Sequence, residues 1–146
     1  MPNVSATIDI HAPVQDVWDV ATDIGRMGEW VSIHRGFPDA TPSEVELGTR
    51  FKQTLSVGGT PFAVEWTATE VKGPRTLIWE GAGPAGSSAR TRYALASENG
   101  GTRFTYENEF KLPAGRIGEA AAGVVKGQAE REAQDSLTRL KQLIEG

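Results

Sequence analysis

Residues 90–110 read RTRYALASENGGTRFTYENEF. Asn99-Gly100 is the strongest two-residue signal for a type I′ hairpin turn. With these two residues as the loop, Glu98 opposes Gly101 and the rest of the register follows. Leu95 falls opposite Phe104 and Tyr93 opposite Tyr106. Arg92 falls opposite Glu107 and Arg90 opposite Glu109. One face is then apolar and aromatic, and the other carries paired opposite charges, the arrangement that stabilises antiparallel strands.

Moving outward, the text from His34 to Phe110 is strands and turns. Phe51 and Leu55 alternate with polar residues until Gly58-Gly59. Phe62, Val64, Trp66 and Ala68 share one face, and Glu70 continues that inward set at the strand end. Gly73-Pro74 is a break, after which Leu77 and Trp79 alternate with Ile78 and Glu80. GAGPAGSS at 81–88 reads as a loop. At the other end of the chain, Val4, Ala6, Ile8 and Ile10 alternate with polar residues as a half-buried strand.

Pro13 then suits the first position of a helix, and Val14, Val17, Trp18 and Ala21 form one helical face. A second short helix follows in DIGRMGEW, despite Gly25 and Gly28. Those glycines either lower the local stability of the segment or permit tight packing against the long helix. From Arg116 to Ile144 the pattern is one long helix whose apolar side runs Gly118, Ala122, Val125, Ala129, Ala133, Ser136, Leu137, Leu140, Leu143 and Ile144. Its second half is bulky and its first half is small.

Composition narrows the function classes. The 146 residues suit one domain spanning 1–146, and 38% hydrophobic content is enough for a core. Net charge is -4 with acids and bases interleaved, so no DNA partner is expected. Without cysteine, thiolate catalysis and Cys-ligated zinc are excluded. Two histidines, His11 and His34, make a His-rich metal site improbable, and no metal or cofactor is expected. No apolar run is long enough to span a membrane, and the first residues lack the layout of a signal peptide. A cytoplasmic protein is the expectation.

The layout implies an α+β fold: a strand, two short helices, then a curved antiparallel sheet of about six to seven strands around a long C-terminal helix. Laid across the sheet, the small half of that helix leaves either very close helix–sheet contact or an unfilled volume lined by rings. The second is the expectation, since a hollow of that kind is where small molecules bind.

The segments IDIHAPVQDVWDVATDIGRMGEW (8–30) and GTRFTYENEF (101–110), with the terminal helix, resemble the START-like, Bet v 1-like superfamily, also called SRPBCC. The branch most similar is the polyketide cyclase/dehydrase-like one. The stretch EWVSIHRGF (29–37) also looks like actinobacterial members labelled as toxins of toxin–antitoxin pairs. The resemblance implies the helix-grip fold, an internal cavity, and an entrance flanked by the second short helix, whose Gly25 and Gly28 would let it open and close. It also implies that aromatase/cyclases would present a Ser and an Arg where this chain has Ala68 and Glu70.

Candidate site residues follow from the faces. Trp30 is expected either at the pocket mouth, stacking on a flat ligand, or as ordinary core filling, while Trp18 is core. Trp66, Trp79, Tyr93 and Tyr106 fall on the concave face with Asn108, a polar spot among rings. Val125 and Gln128 face it from the helix, with Gln128 and Glu132 either polar anchors or the wet edge. Catalytic candidates are His34, Glu70, Tyr93 and Tyr106, of which His34 has the pKa best suited to acid–base work near neutrality. They do not assemble into a mechanism. The reading is therefore a binder of a hydrophobic or aromatic molecule, lipid or polyketide-like. The alternatives are a polyketide cyclase, aromatase or dehydratase, and a toxin acting through a protein or RNA partner. Sequence does not decide the oligomeric state.

Overall fold

A computed structural model of the chain describes residues 3–57, 59–111 and 119–146, with the backbone alone at 57 and 119–125. Seven strands form one antiparallel sheet: β1 (Asn3–Ile10), β2 (His34–Gly36), β3 (Arg50–Val57), β4 (Thr60–Lys72), β5 (Thr76–Ala82), β6 (Ser88–Glu98) and β7 (Gly101–Lys111). Their spatial order is β1-β7-β6-β5-β4-β3-β2. Between β1 and β2 lie the helix α1 (Val14–Ala21) and a 3₁₀ helix, Ile24–Glu29. The chain closes with α2 (Glu119–Glu145). This is the expected helix-grip arrangement. The expected first turn of the long helix and Gly118 fall at 112–118, outside the described residues.

The β6–β7 hairpin takes the register read from its turn. Tyr93 faces Tyr106, Leu95 faces Phe104, Arg92 faces Glu107 and Arg90 faces Glu109. Asn99 and Gly100 have φ of 51° and 81°, the left-handed values that a type I′ turn requires. Arg92 donates to Glu107 at 2.8 Å across the outer face. Both side chains are more than a third exposed, so the pair adds little stability.

Two local features depart from the simple pattern. A bulge in β4 lets Ala68 pair with Trp79 while Glu70 pairs with Ile78. The extra residue reverses the alternation. Glu70 therefore leaves the inward set, and its carboxylate lies 3.8 Å from Lys72 Nζ. The second departure concerns the glycines. A Cβ on Gly28 would meet His34 Cδ2 at 3.0 Å, so the missing side chain makes room for the imidazole rather than for the long helix. Gly25 has only an ordinary contact, with Asp23 at 3.6 Å.

The core is filled at one end of α2. Leu137 and Leu140 are fully buried, alongside Phe104 and Leu77. Polar ties hold that end to β1 and the residue after it. The backbone N–H of His11 donates to Glu145 at 2.9 Å, and Lys141 donates to the Asp9 carbonyl at 2.7 Å. Lys141 Nζ also donates to the Glu145 carboxylate, and the His11 bond first, then this one, hold the Glu145 carboxyl below its ordinary pKa.

Candidate functional site: a ring-lined cavity under the last helix

Between the concave sheet face and the middle of α2 lies a cavity of about 200 Å³. It exists because Ala129 and Ala133 stand where Leu137 and Leu140 stand farther along the helix. Short side chains over large rings leave space. On the sheet, alternation brings Phe51 and Gln53 of β3, Trp66 of β4, Trp79 of β5, Tyr93 of β6, and Tyr106 and Asn108 of β7 to its wall. Gly81 lets the Trp66 indole lie across β5: a Cβ there would stand 2.7 Å from the ring.

Two hydrogen-bond chains order the polar part of the wall. Trp66 Nε1 donates to Gln53 Oε1 at 3.0 Å, and Gln53 Nε2 lies 2.8 Å from His34 Nδ1. An indole can only donate, so the amide orientation is set and His34 Nδ1 must accept. The His34 proton therefore sits on Nε2. Burial first, then Arg35, holds the imidazole pKa below its ordinary value. In the second chain, Ser32 N–H donates to Ser136 Oγ at 3.0 Å and Ser32 Oγ to Glu132 Oε2 at 2.5 Å. This pins the segment after the 3₁₀ helix to α2. On β6 and β7, Thr91 Oγ1 donates to Asn108 Oδ1 at 3.2 Å.

The rings pack edge to face. Trp30 lies 5.9 Å from Tyr93 and 6.4 Å from Phe104, and Phe51 lies 4.9 Å from Trp79. The indole nitrogens of Trp30 and Trp79 have no hydrogen-bond acceptor. Trp79 Nε1 comes near the Tyr93 hydroxyl without reaching hydrogen-bond geometry. Burial pushes the Tyr93 phenol far above its ordinary pKa, and the Tyr106 phenol up to about 12. Both remain neutral across the physiological range, so they are hydrogen-bonding groups and poor proton-transfer groups there.

Of the residues singled out from sequence, Trp30, Trp66, Trp79, Tyr93, Tyr106, Asn108 and Gln128 all line the cavity. Trp30 is not at a mouth: it is 1% exposed and belongs to the inner wall. Trp18, expected in the core, is half-buried, with its ring beside Gly73. His34 does not line the cavity and touches it only through Gln53, while its other side stacks on Phe37 at 4.6 Å. Glu70 is displaced by the bulge to the opposite face. The Val125 side chain lies outside the described residues. Gln53, Thr91, Ser32 and Ser136 were not read as site residues. Gln53 carried a usable signal, since a polar residue midway between inward Phe51 and Leu55 must itself point inward. Among the described lining residues only Glu132 and Lys111 are charged. Among the described residues no group of three His, Asp or Glu side chains could hold a metal, and no helix is long and apolar enough to cross a membrane.

The sequence matches a family described as polyketide cyclase / dehydrase and lipid transport over residues 1–145. The chain belongs to this family. Proteins with solved structures share its fold. TTHA0849 from Thermus thermophilus superposes with a TM-score of 0.83 at 15% identity, covering 98% of this chain and 97% of that one. A START superfamily protein from Mycobacterium smegmatis superposes with a TM-score of 0.74 at 13% identity, covering 98% and 97%. A relative in Mycobacterium tuberculosis, named Toxin Rv0910, is 26% identical over 140 residues, 94% of this chain and 97% of its own.

Proposed function

We propose that this protein binds a small hydrophobic, ring-bearing molecule in the cavity between the sheet and α2. The observation that carries the reading is the cavity itself: about 200 Å³, walled by aromatic side chains and roofed by Ala129 and Ala133. Its size favours a compact ligand. An apolar cavity of about 150 Å³ takes up benzene. Drug-sized ligands occupy roughly 300–1,000 Å³. A molecule of one or two rings matches this volume, and a long acyl chain or a polycyclic polyketide requires α2 to move.

Binding is favoured over cyclase or dehydratase chemistry. Such chemistry needs a proton-transfer group within reach of the substrate and a partner for a developing enolate. Tyr93 and Tyr106 are held neutral, His34 spends Nδ1 on Gln53, and Glu70 faces away. The name of the M. tuberculosis relative supplies the other reading, a toxin acting through a protein or RNA partner. A net charge of -4 weighs against RNA.

An amide NMR titration with 2-naphthol, a fatty acid and an RNA oligomer tests the proposal. The expected result is saturable shifts at Trp66, Trp79 and Tyr106 with 2-naphthol. Shifts with RNA alone, or with no compound, would overturn it.

A further inference from the structure

The inner wall of the cavity is unbalanced in its hydrogen bonding. Three of its side chains already use an acceptor oxygen. Gln53 Oε1 takes the Trp66 indole, Asn108 Oδ1 takes Thr91, and Glu132 takes Ser32. Two of its indoles, by contrast, are donors with nothing to receive them. Trp30 Nε1 and Trp79 Nε1 are buried and have no acceptor. The Asn108 amide, its oxygen engaged by Thr91, still has N–H groups to give.

A buried donor without an acceptor loses its hydration and recovers nothing, a cost of about 1–3 kcal/mol. The edge-on neighbours of Trp30 offer at most a ring face, which is a weaker acceptor than an oxygen. Both indoles border Tyr93. Trp30 packs on the Tyr93 ring, and Trp79 Nε1 approaches the Tyr93 hydroxyl. A small ring rotation, common when sites fill, would turn either N–H toward a ligand.

We infer that the ligand carries a neutral hydrogen-bond acceptor, a ring ketone or quinone-type carbonyl, which the indole N–H groups of Trp30 and Trp79 select over the matching hydrocarbon. This inference rests on the proposed binding function and names its ligand class. Neutrality follows from the donors themselves, since an indole N–H carries no charge. An anionic oxygen set against the two indoles would lose its hydration without gaining a countercharge from them.

The test compares 1-tetralone with tetralin, which differ by one carbonyl oxygen and suit the cavity volume. In a purely apolar hole tetralin would bind more tightly, since the ketone gives up hydration. With the donors in place, 1-tetralone is expected to bind about tenfold more tightly than tetralin, the effect of one to two added hydrogen bonds. The indole N–H resonances of Trp30 and Trp79 should move downfield with the ketone and stay in place with tetralin. Trp30→Phe and Trp79→Phe keep a ring and remove the donor; each should reduce or reverse the ketone preference. The indole resonances supply a readout on the unaltered protein should either variant fold poorly. Tight tetralin binding with no ketone preference and unmoved indole resonances would overturn this inference and leave the binding function standing. Binding of neither compound would overturn both.

Discussion

His34 takes part in the site through Gln53, and that contact makes it a pH-sensitive residue. Its Nδ1 accepts from Gln53, so a second proton would place N–H against the amide NH₂. Turning the amide to relieve this would break the Trp66 hydrogen bond. The folded protein thus resists protonating His34, in the same direction as the burial and the Arg35 charge that lower its pKa. The unfolded chain takes the proton near pH 6.5, its ordinary value. Between that point and the lower folded pKa the unfolded state holds more protons, so stability must fall as pH falls. Below the folded pKa the loss levels off, and above about 6.5 it is absent. Denaturant midpoints from pH 8 to 5 should show this decline, and His34→Gln should flatten it. An unchanged slope in the variant would assign the decline elsewhere. Gln53→Leu should cost about 1–3 kcal/mol at neutral pH by leaving the Trp66 N–H buried without a partner. Gly81 is constrained in a different way. Gly81→Ala would place its methyl 2.7 Å from the Trp66 ring. Overpacking of this kind costs about 1–3 kcal/mol. Relief by moving the indole would narrow the cavity, so weakened ligand binding should accompany the lower midpoint.

Among the elements, the β6–β7 hairpin was legible because several independent signals coincide: the turn dipeptide, the inward rings and the outward charges. Its turn should respond as a type I′ turn does. Gly100→Ala puts a Cβ at φ of 81°, at a cost of about 1 kcal/mol. Chemical denaturation reads this directly, and an unchanged midpoint would mean the turn tolerates another geometry. β4 was half legible. Phe62 to Ala68 keep their alternation, but nothing in Ala68-Thr69-Glu70-Val71 announces an extra residue. A bulge answers to the curvature of the whole sheet, which no local pattern encodes, so Glu70 was assigned to the wrong face. The 3₁₀ helix shows a similar limit. Its Ile24 and Met27 are buried as their spacing suggests, yet the partner of Gly28 is His34, brought there by the turn into β2. Trp30, open between the cavity mouth and the core in the sequence, lies deep in the cavity wall. Sequence shows which side of an element is apolar more readily than how deep a given ring lies.

At the scale of the molecule, α2 divides its work along its length. Leu137 and Leu140 fill one half of the core, and the ties to His11 and Asp9 close that end. Ala129 and Ala133 roof the hollow half. This division was visible in the change from small to large residues along the helix. The volume was not, because it depends on how far Trp66, Trp79 and Tyr106 hold the helix off the sheet. Stability and ligand capacity should therefore separate under mutation. Leu140→Ala opens a void in the filled half and should cost about 2–5 kcal/mol. At temperatures where the variant remains folded, its ligand affinity should match the parent protein. Ala129→Met should do the opposite. Its flexible thioether can occupy existing space, so the unfolding midpoint should hold or rise. Affinity for a two-ring ligand should fall about tenfold or more, equivalent to at least 1.4 kcal/mol. Paired melting curves and titrations on the two variants read both quantities at once. Should Ala129→Met destabilise strongly and Leu140→Ala alter binding, the helix would pack uniformly along its length and the hollow half would not be a distinct binding compartment.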